Sequence, residues 1–219
     1  MTRKIILLSL LLATLAKADP LSPADLKNLL EKIRERRVTS PHVQADFQEE
    51  KAIHLMNKPI VSAGKVWFQA PNKFRREVKG TSASVTVSDG QQLWIYYPNF
   101  KSAEHYSLGK RSPVDAAITA INTALNLENV ETTFHITGAK IDNHYELDLK
   151  PKSPSMKRMF RQFDVKLNAD LLADRTEMLQ PNGDRIITNY SNQTRAPISA
   201  STFEFTPPAG TDVTTPLGR

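Results

Sequence analysis

The sequence predicts a mainly β-protein: a meandering antiparallel sheet or barrel of about ten strands with two helices. Three observations predict it. Apolar residues alternate with period two along many short segments. Turn-forming residues separate those segments at short, fairly even intervals. Only two stretches carry apolar residues at helical spacing.

The N-terminus reads as a secretory leader. Arg3 and Lys4 form a positive n-region, Ile5–Leu15 an apolar h-region, and Ala16-Lys17-Ala18 an A-x-A cleavage site. The apolar run of 11 residues is too short to span a bilayer, which needs about 20. Cleavage after Ala18 is expected to leave a soluble mature chain starting at Asp19. Removing 18 of the 219 residues leaves 201, enough for one large β-domain. The 29 basic residues include Arg3, Lys4 and Lys17, so the excess over 23 acidic residues falls from six to three. Such a small balance does not point to nucleic acid. The chain has no cysteine, hence no disulfide and no site for lipid attachment after the leader. An exported chain of this kind fits the periplasm of a Gram-negative bacterium.

A helix follows the leader. Ser22 is placed as N-cap, Pro23 at the first helical position and Asp25 as a capping-box variant, with Leu21 and Leu26 as a hydrophobic staple. Leu26, Leu29, Leu30 and Ile33 form the apolar stripe, and Thr39-Ser40-Pro41 ends it. From His42 the period changes to two. Val43, Ala45 and Phe47 alternate with Gln44, Asp46 and Gln48. Strands at Ile60–Gln69 and Lys73–Val78 flank the Pro71-Asn72 turn. Ser84–Val87 then leads through Ser88-Asp89-Gly90, a hairpin signal, into Leu93–Tyr97. Ser112-Pro113-Val114-Asp115 repeats the helix-start chemistry, and Val114, Ala117, Ile118, Ile121 and Leu125 make a second apolar stripe. Further strands are expected at Thr132–Thr137, His144–Leu149, Met159–Leu167, Leu172–Leu179 and Arg185–Ser191, the last pair joined by the Pro181-Asn182-Gly183-Asp184 turn. No repeat, low-complexity tract or linker interrupts residues 19–219, which read as one domain.

The chemistry-bearing residue types do not assemble into a catalytic motif. His42, His54, His105, His135 and His144 never pair at metal-ligand helical spacing, and no zinc-hydrolase pattern or G-x-S-x-G elbow exists. Ser62-Ala63-Gly64-Lys65 and Ser107-Leu108-Gly109-Lys110 match S-x-x-K, but neither opens a helix. Glu49 and Glu50 are neighbours on a strand, so their carboxylates point to opposite faces. No catalytic residue, metal ligand or cofactor is expected, and the chain is read as a non-enzyme. Arg34-Glu35-Arg36-Arg37 ends a helix, where cations suit the dipole. Lys73, Arg75 and Arg76 around Phe74 fit an acidic partner or lipid head groups, or equally a solvated strand face. Phe47, Val66, Phe68, Phe74, Trp94 and Tyr96 form either a packed core or the inner wall of a cavity, which alternation alone does not separate. A curled meander of about ten strands leaves more lumen than one of eight. The amphipathic segment with Ile118, Ile121 and Leu125 would close it.

These residues carry a resemblance. Val43–Gln48 is similar to an x-A-x-F-x-Q strand, Gly64-Lys65-Val66-Trp67 to G-x-L-W, and Pro71-Asn72-Lys73-Phe74-Arg75 to P-N-x-F-r. Ser88-Asp89-Gly90 precedes Leu93-Trp94-Ile95-Tyr96, and Phe203-Glu204-Phe205-Thr206-Pro207-Pro208-Ala209-Gly210 matches an F-x-F-x-P-P-x-G close. In this order, behind a leader, they resemble the periplasmic outer-membrane lipoprotein carriers of the LolA family. The resemblance implies an incomplete antiparallel β-barrel, a half-barrel of about ten or eleven strands under a helical lid. It implies a monomer that shelters lipoprotein acyl chains, takes them from a LolCDE-like inner-membrane transporter and gives them to a LolB-like outer-membrane receptor. Phe74 falls where the family has a phenylalanine important for cargo transfer, and Val66 and Phe68 would line the cavity. One position departs: the family's arginine before the Pro-Asn turn, which latches the lid, is Ala70 here. Arg75 and Arg76 lie nearby at a different strand position. A LolA-like carrier of another lipid, and a sensing module whose cavity reads a lipid or peptide, are the alternatives.

Overall fold

The computed structural model describes residues 18–108, 127 and 130–216. Residues 1–17 of the expected leader and the predicted helix carrying Ile118, Ile121 and Leu125 lie outside the described residues.

Two β-meanders stand side by side in one sheet. The first comprises β2 (His42–Ala52), β3 (Ile60–Gln69), β4 (Lys73–Val78), β5 (Ser84–Ser88), β6 (Gln92–Tyr97) and β7 (Ser102–Ser107). The second comprises β8 (Phe134–Ile141), β9 (His144–Pro151), β10 (Gln162–Leu167), β11 (Ala173–Leu179) and β12 (Arg185–Thr194). The two-residue β1 (Asp19–Pro20) and the three-residue β13 (Asp212–Thr214) complete it. The spatial order is β1-β8-β9-β10-β11-β12-β2-β3-β4-β5-β6-β7-β13. The meanders join where β12 pairs antiparallel with β2, Tyr190 opposite Phe47 and Thr188 opposite Glu49. Every neighbouring pair is antiparallel except β13, which runs parallel to β7. The sheet does not close on itself: β1 and β13 are its edges.

The half-barrel class is as expected, but the sheet has 13 strands rather than ten or eleven. The two edge strands are too short to show a period. β7 escaped notice because Glu104 and His105 interrupt its apolar alternation.

The helix α1 (Pro23–Thr39) starts as its sequence dictates: Ser22 Oγ accepts from the Asp25 N–H at 3.2 Å, and Pro23 follows the cap. Arg36 and Arg37 stand in its last turn, where they face the negative end of the dipole. Leu29, Leu30 and Ile33 are buried against Phe134, Leu147, Leu149, Phe163, Val165 and Leu167. The register puts Leu149 opposite Phe163 and Leu147 opposite Val165, so these strand residues share one face. Two single-turn helices, α2 (Val130–Thr133) and α3 (Pro154–Lys157), add Val130 and Met156 to the same cluster. The main core therefore sits at the β8–β10 end of one sheet face, under α1. Burying each of these side chains contributes roughly 1.5–3 kcal/mol.

A second, smaller core lies on the opposite face of the first meander. Val87, Ala103 and Phe203 are buried there. Phe203 comes from a 3-10 turn at Ala200–Phe203, so the C-terminal segment covers this face.

Candidate functional site

Alternation along four adjacent strands sends one set of side chains onto the concave face, away from the second core. Val43, Ala45, Phe47 and Glu49 come from β2, Val66 and Phe68 from β3, Phe74 and Arg76 from β4, and Ile186, Thr188 and Tyr190 from β12. Register aligns them across the sheet: Val43 with Phe68, Ala45 with Val66, Phe68 with Phe74 and Val66 with Arg76. With Thr176 and Met178 of β11 and Phe163 of β10 they enclose a cavity of about 330 Å3. α1 reaches it through Arg37, whose guanidinium lies 5.5 Å from the centre of the Phe68 ring.

Gly64 makes part of this wall possible. It stands between Phe47 on β2 and Val78 on β4. A Cβ there would lie 1.8 Å from the Glu77 carbonyl oxygen and 2.9 Å from the Phe47 ring. Only glycine lets the Phe47 ring lie across the strand.

The wall is mostly apolar, with Arg37 and Gln193 also lining it, and one polar band crosses it. Arg76 Nη2 donates to Glu49 Oε2 at 2.7 Å, and the guanidinium lies 4.3 Å from the centre of the Phe47 ring. Lys51 Nζ stands 3.8 Å from the other Glu49 oxygen, and the Thr188 hydroxyl donates to Glu49 at 3.4 Å. Thr176 pairs with Thr188 across the strands and continues the band. Burial pushes the Tyr190 phenol above its ordinary value, with hydrogen bonding to Thr176 and the charge of Arg76 acting against it.

The residues singled out from sequence separate into two faces. Phe47, Val66, Phe68, Phe74 and Arg76 stand together in the cavity. Trp94 and Tyr96 stand on the convex side, because Trp94 pairs with Val87 and Val87 with Arg75, one step out of phase with Phe74. There Trp94 stacks on His105 at 4.2 Å, and Phe205 packs on Trp94 at 5.8 Å and on Tyr96 at 5.6 Å. Lys73 and Arg75 share that convex phase. Arg75 is bound to Glu77 at 2.7 Å and to the Thr202 carbonyl at 3.2 Å, so it anchors the C-terminal segment. Ala70 follows β3, and its N–H donates to the Pro41 carbonyl at 2.9 Å. Ile118, Ile121 and Leu125 fall outside the described residues.

Sequence reasoning missed the far wall: Thr176 and Met178 on β11, and Ile186, Thr188 and Tyr190 on β12. The alternation Ile186, Thr188, Tyr190 was visible. What was missing was the pairing of β12 with β2, which turns those residues toward Phe47. A second, larger depression of about 440 Å3 opens on the convex face, but Glu146, Asp148, Asp164, Lys166, Arg175 and Glu177 line it. Its charged lining suits water rather than hydrocarbon. Among the described residues no group of three or more His, Cys, Asp or Glu is placed to hold a metal ion.

An open antiparallel half-barrel with an apolar cavity beside its packed core defines a ligand-holding β-protein. A family model described as outer membrane lipoprotein carrier protein LolA matches residues 39–206, and the chain belongs to that family of lipoprotein carriers. An outer-membrane lipoprotein carrier protein of Haemophilus ducreyi is 28% identical over 204 residues, covering 92% of this chain and 89% of that relative. One from Erwinia tasmaniensis is 26% identical, covering 96% and 97%. One from Bordetella avium is 28% identical, covering 97% and 99%. Among solved structures, an uncharacterized conserved protein from Thermus thermophilus superposes with a TM-score of 0.54 at 13% identity. It covers 87% of this chain and 98% of that one, a likeness of fold.

Proposed function

We propose that this protein is a periplasmic carrier that shelters lipoprotein acyl chains in the cavity and ferries them from the inner to the outer membrane. The carrying observation is the cavity wall itself: Phe47, Val66, Phe68, Phe74, Met178 and Ile186 are collected from five strands around one open space. Residues that served only stability would have packed against each other, as they do under α1. Residues 1–18 act as the export leader, and residues 19–219 form the carrier domain. A LolCDE-like transporter loads it, and a LolB-like receptor, where one exists, unloads it.

The energetics suit carriage without catalysis. An acyl chain of roughly 15 methylenes resists leaving a membrane by about 12 kcal/mol. A carrier must offset most of that by burial, yet still release. A lid that fills the cavity in its empty state does both, because cargo must displace it and net affinity stays moderate.

Native mass spectrometry of protein purified from periplasm, with uptake of a fluorescent acylated lipoprotein in vitro, tests this. An acyl-bearing cargo and saturable uptake are expected. Ala45→Trp, which fills the cavity from β2, is expected to reduce uptake at least about tenfold, a change of 1.4 kcal/mol. Absence of acyl cargo together with no uptake by the folded wild-type protein would sink the proposal.

A further inference from the structure

The Glu49–Arg76 ion pair is oddly placed for a site that receives only hydrocarbon. Arg76 occupies a strand position facing inward, with Phe74 two residues before it and Val66 beside it. An ion pair taken out of water is costly, and apolar residues of the same volume would hold the strands as well or better. Glu49 and Arg76 therefore are not accounted for by stability.

Among the described residues the network is unequal in charge. Glu49 is a single carboxylate shared by two cations, Arg76 at 2.7 Å and Lys51 at 3.8 Å. The set carries one net positive charge. The hydrogen bond to Glu49 uses one of the five N–H donors of the guanidinium. The guanidinium lies over the Phe47 ring on one side, and the Arg76 side chain is still 29% exposed. A planar guanidinium fixed against an aromatic face, with donors to spare, matches the geometry of a carboxylate or phosphate. The Glu49 carboxylate shows the fit from within: it sits where an incoming anionic group would compete or share.

We propose that Arg76 forms an anion subsite inside the cavity, so that the protein also takes single-chain amphiphiles ending in a carboxylate or phosphate. The tail lies along Phe47, Val66, Phe68 and Phe74, and the head reaches Arg76. This inference rests on the reading of the cavity as an acyl site, and extends it to the head group of the ligand.

The test compares a fluorescent fatty acid with its methyl ester on the full mature protein, with thermal melts to verify folding. Wild type is expected to bind the acid at least about tenfold more tightly than the ester, equivalent to 1.4 kcal/mol. Arg76→Met should bring the acid-to-ester affinity ratio to about one, whatever it does to the affinity for the tail that both probes share. Glu49→Gln, which retains Arg76 and removes the competing carboxylate, should raise the acid-to-ester affinity ratio above that of wild type. Displacement by unlabelled fatty acid or by lysophosphatidic acid tells which head group is preferred, and either one supports the subsite. Equal affinity of wild type for acid and ester, or a preference that survives Arg76→Met, overturns the inference while leaving the acyl cavity intact. Failure of every probe to bind the folded protein overturns the subsite, and with normal lipoprotein uptake it leaves the carrier function standing.

Discussion

At Asp164 the cost of an ordered charge row can be read directly. Its cross-strand neighbours are Asp148 on β9 and Glu177 on β11. Burial first, then these two carboxylates, raise its affinity for a proton above the ordinary aspartate range, against the opposing Gln162 hydrogen bond at 2.8 Å. A raised carboxyl favours the native state when protonated, so the penalty is absent at acid pH and appears as pH rises through the native titration. Asp164→Asn keeps an acceptor for Gln162 and is expected to stabilise by about 0.5 kcal/mol at neutral pH, the scale of one cross-strand charge pair. The gain should vanish in acid, as urea unfolding at the two pH values will show. Tyr106 shifts in the same direction, and it too is neutral when protonated. Its hydroxyl donates to Glu104 at 2.5 Å, and burial with this hydrogen bond pushes its ionisation up to about 12. Free tyrosine ionises near 10, so the contribution is complete below about pH 10 and is lost as pH rises to about 12. Unfolding followed through that window should show the loss, and Tyr106→Phe should flatten it.

Among the elements, β3 and β4 carry the sharpest constraint. The Gly64 backbone has no room for a methyl group between the Glu77 carbonyl and the Phe47 ring. Gly64→Ala must push β3 from β4 or expel the ring, and is expected to cost at least about 2 kcal/mol by denaturant titration. Because the displaced ring is a cavity wall, acyl uptake should fall with it. α1 is constrained differently. Its stripe is anchored by Leu29, Leu30 and Ile33 in the main core, whereas Arg37 lies one turn further at the cavity. One element thus fills one half of the concave face and borders the open half.

For the whole molecule, the division of labour is between two faces of one sheet. The concave face holds the main core and the cavity, and the convex face of the first meander is sealed by the C-terminal segment through Phe203 and Phe205. The same segment continues to β13, which pairs with β7 and covers that edge. Open edges invite association with other chains, so this cover protects the half-barrel. Phe203→Ala is expected to cost about 3–5 kcal/mol in thermal or denaturant unfolding. Its effect on acyl affinity should be small, because Phe203 lies on the side away from the cavity.

Much of this architecture was legible in the residues. Ser22-Pro23 began α1 where the capping chemistry put it, and the turns at Ser88-Asp89-Gly90 and Pro181–Asp184 separated the strands they were expected to separate. Local sequence determines such features because caps, turns and period two depend on neighbours within a few residues. Alternation also determined that Phe74 and Arg75 face opposite ways, and that Trp94 and Tyr96 face together. It could not decide which phase was concave. That required the pairings of Arg75 with Val87 and of Val87 with Trp94, which sent Trp94 and Tyr96 outward. It required equally the union of β12 with β2, distant in sequence, which completed the cavity and brought Thr188 onto Glu49. Register across a curled sheet is a relation between strands, and a one-residue shift reverses every face. The residues of the cavity were therefore written in the chain, but their assembly into one cavity was decided only by tertiary pairing.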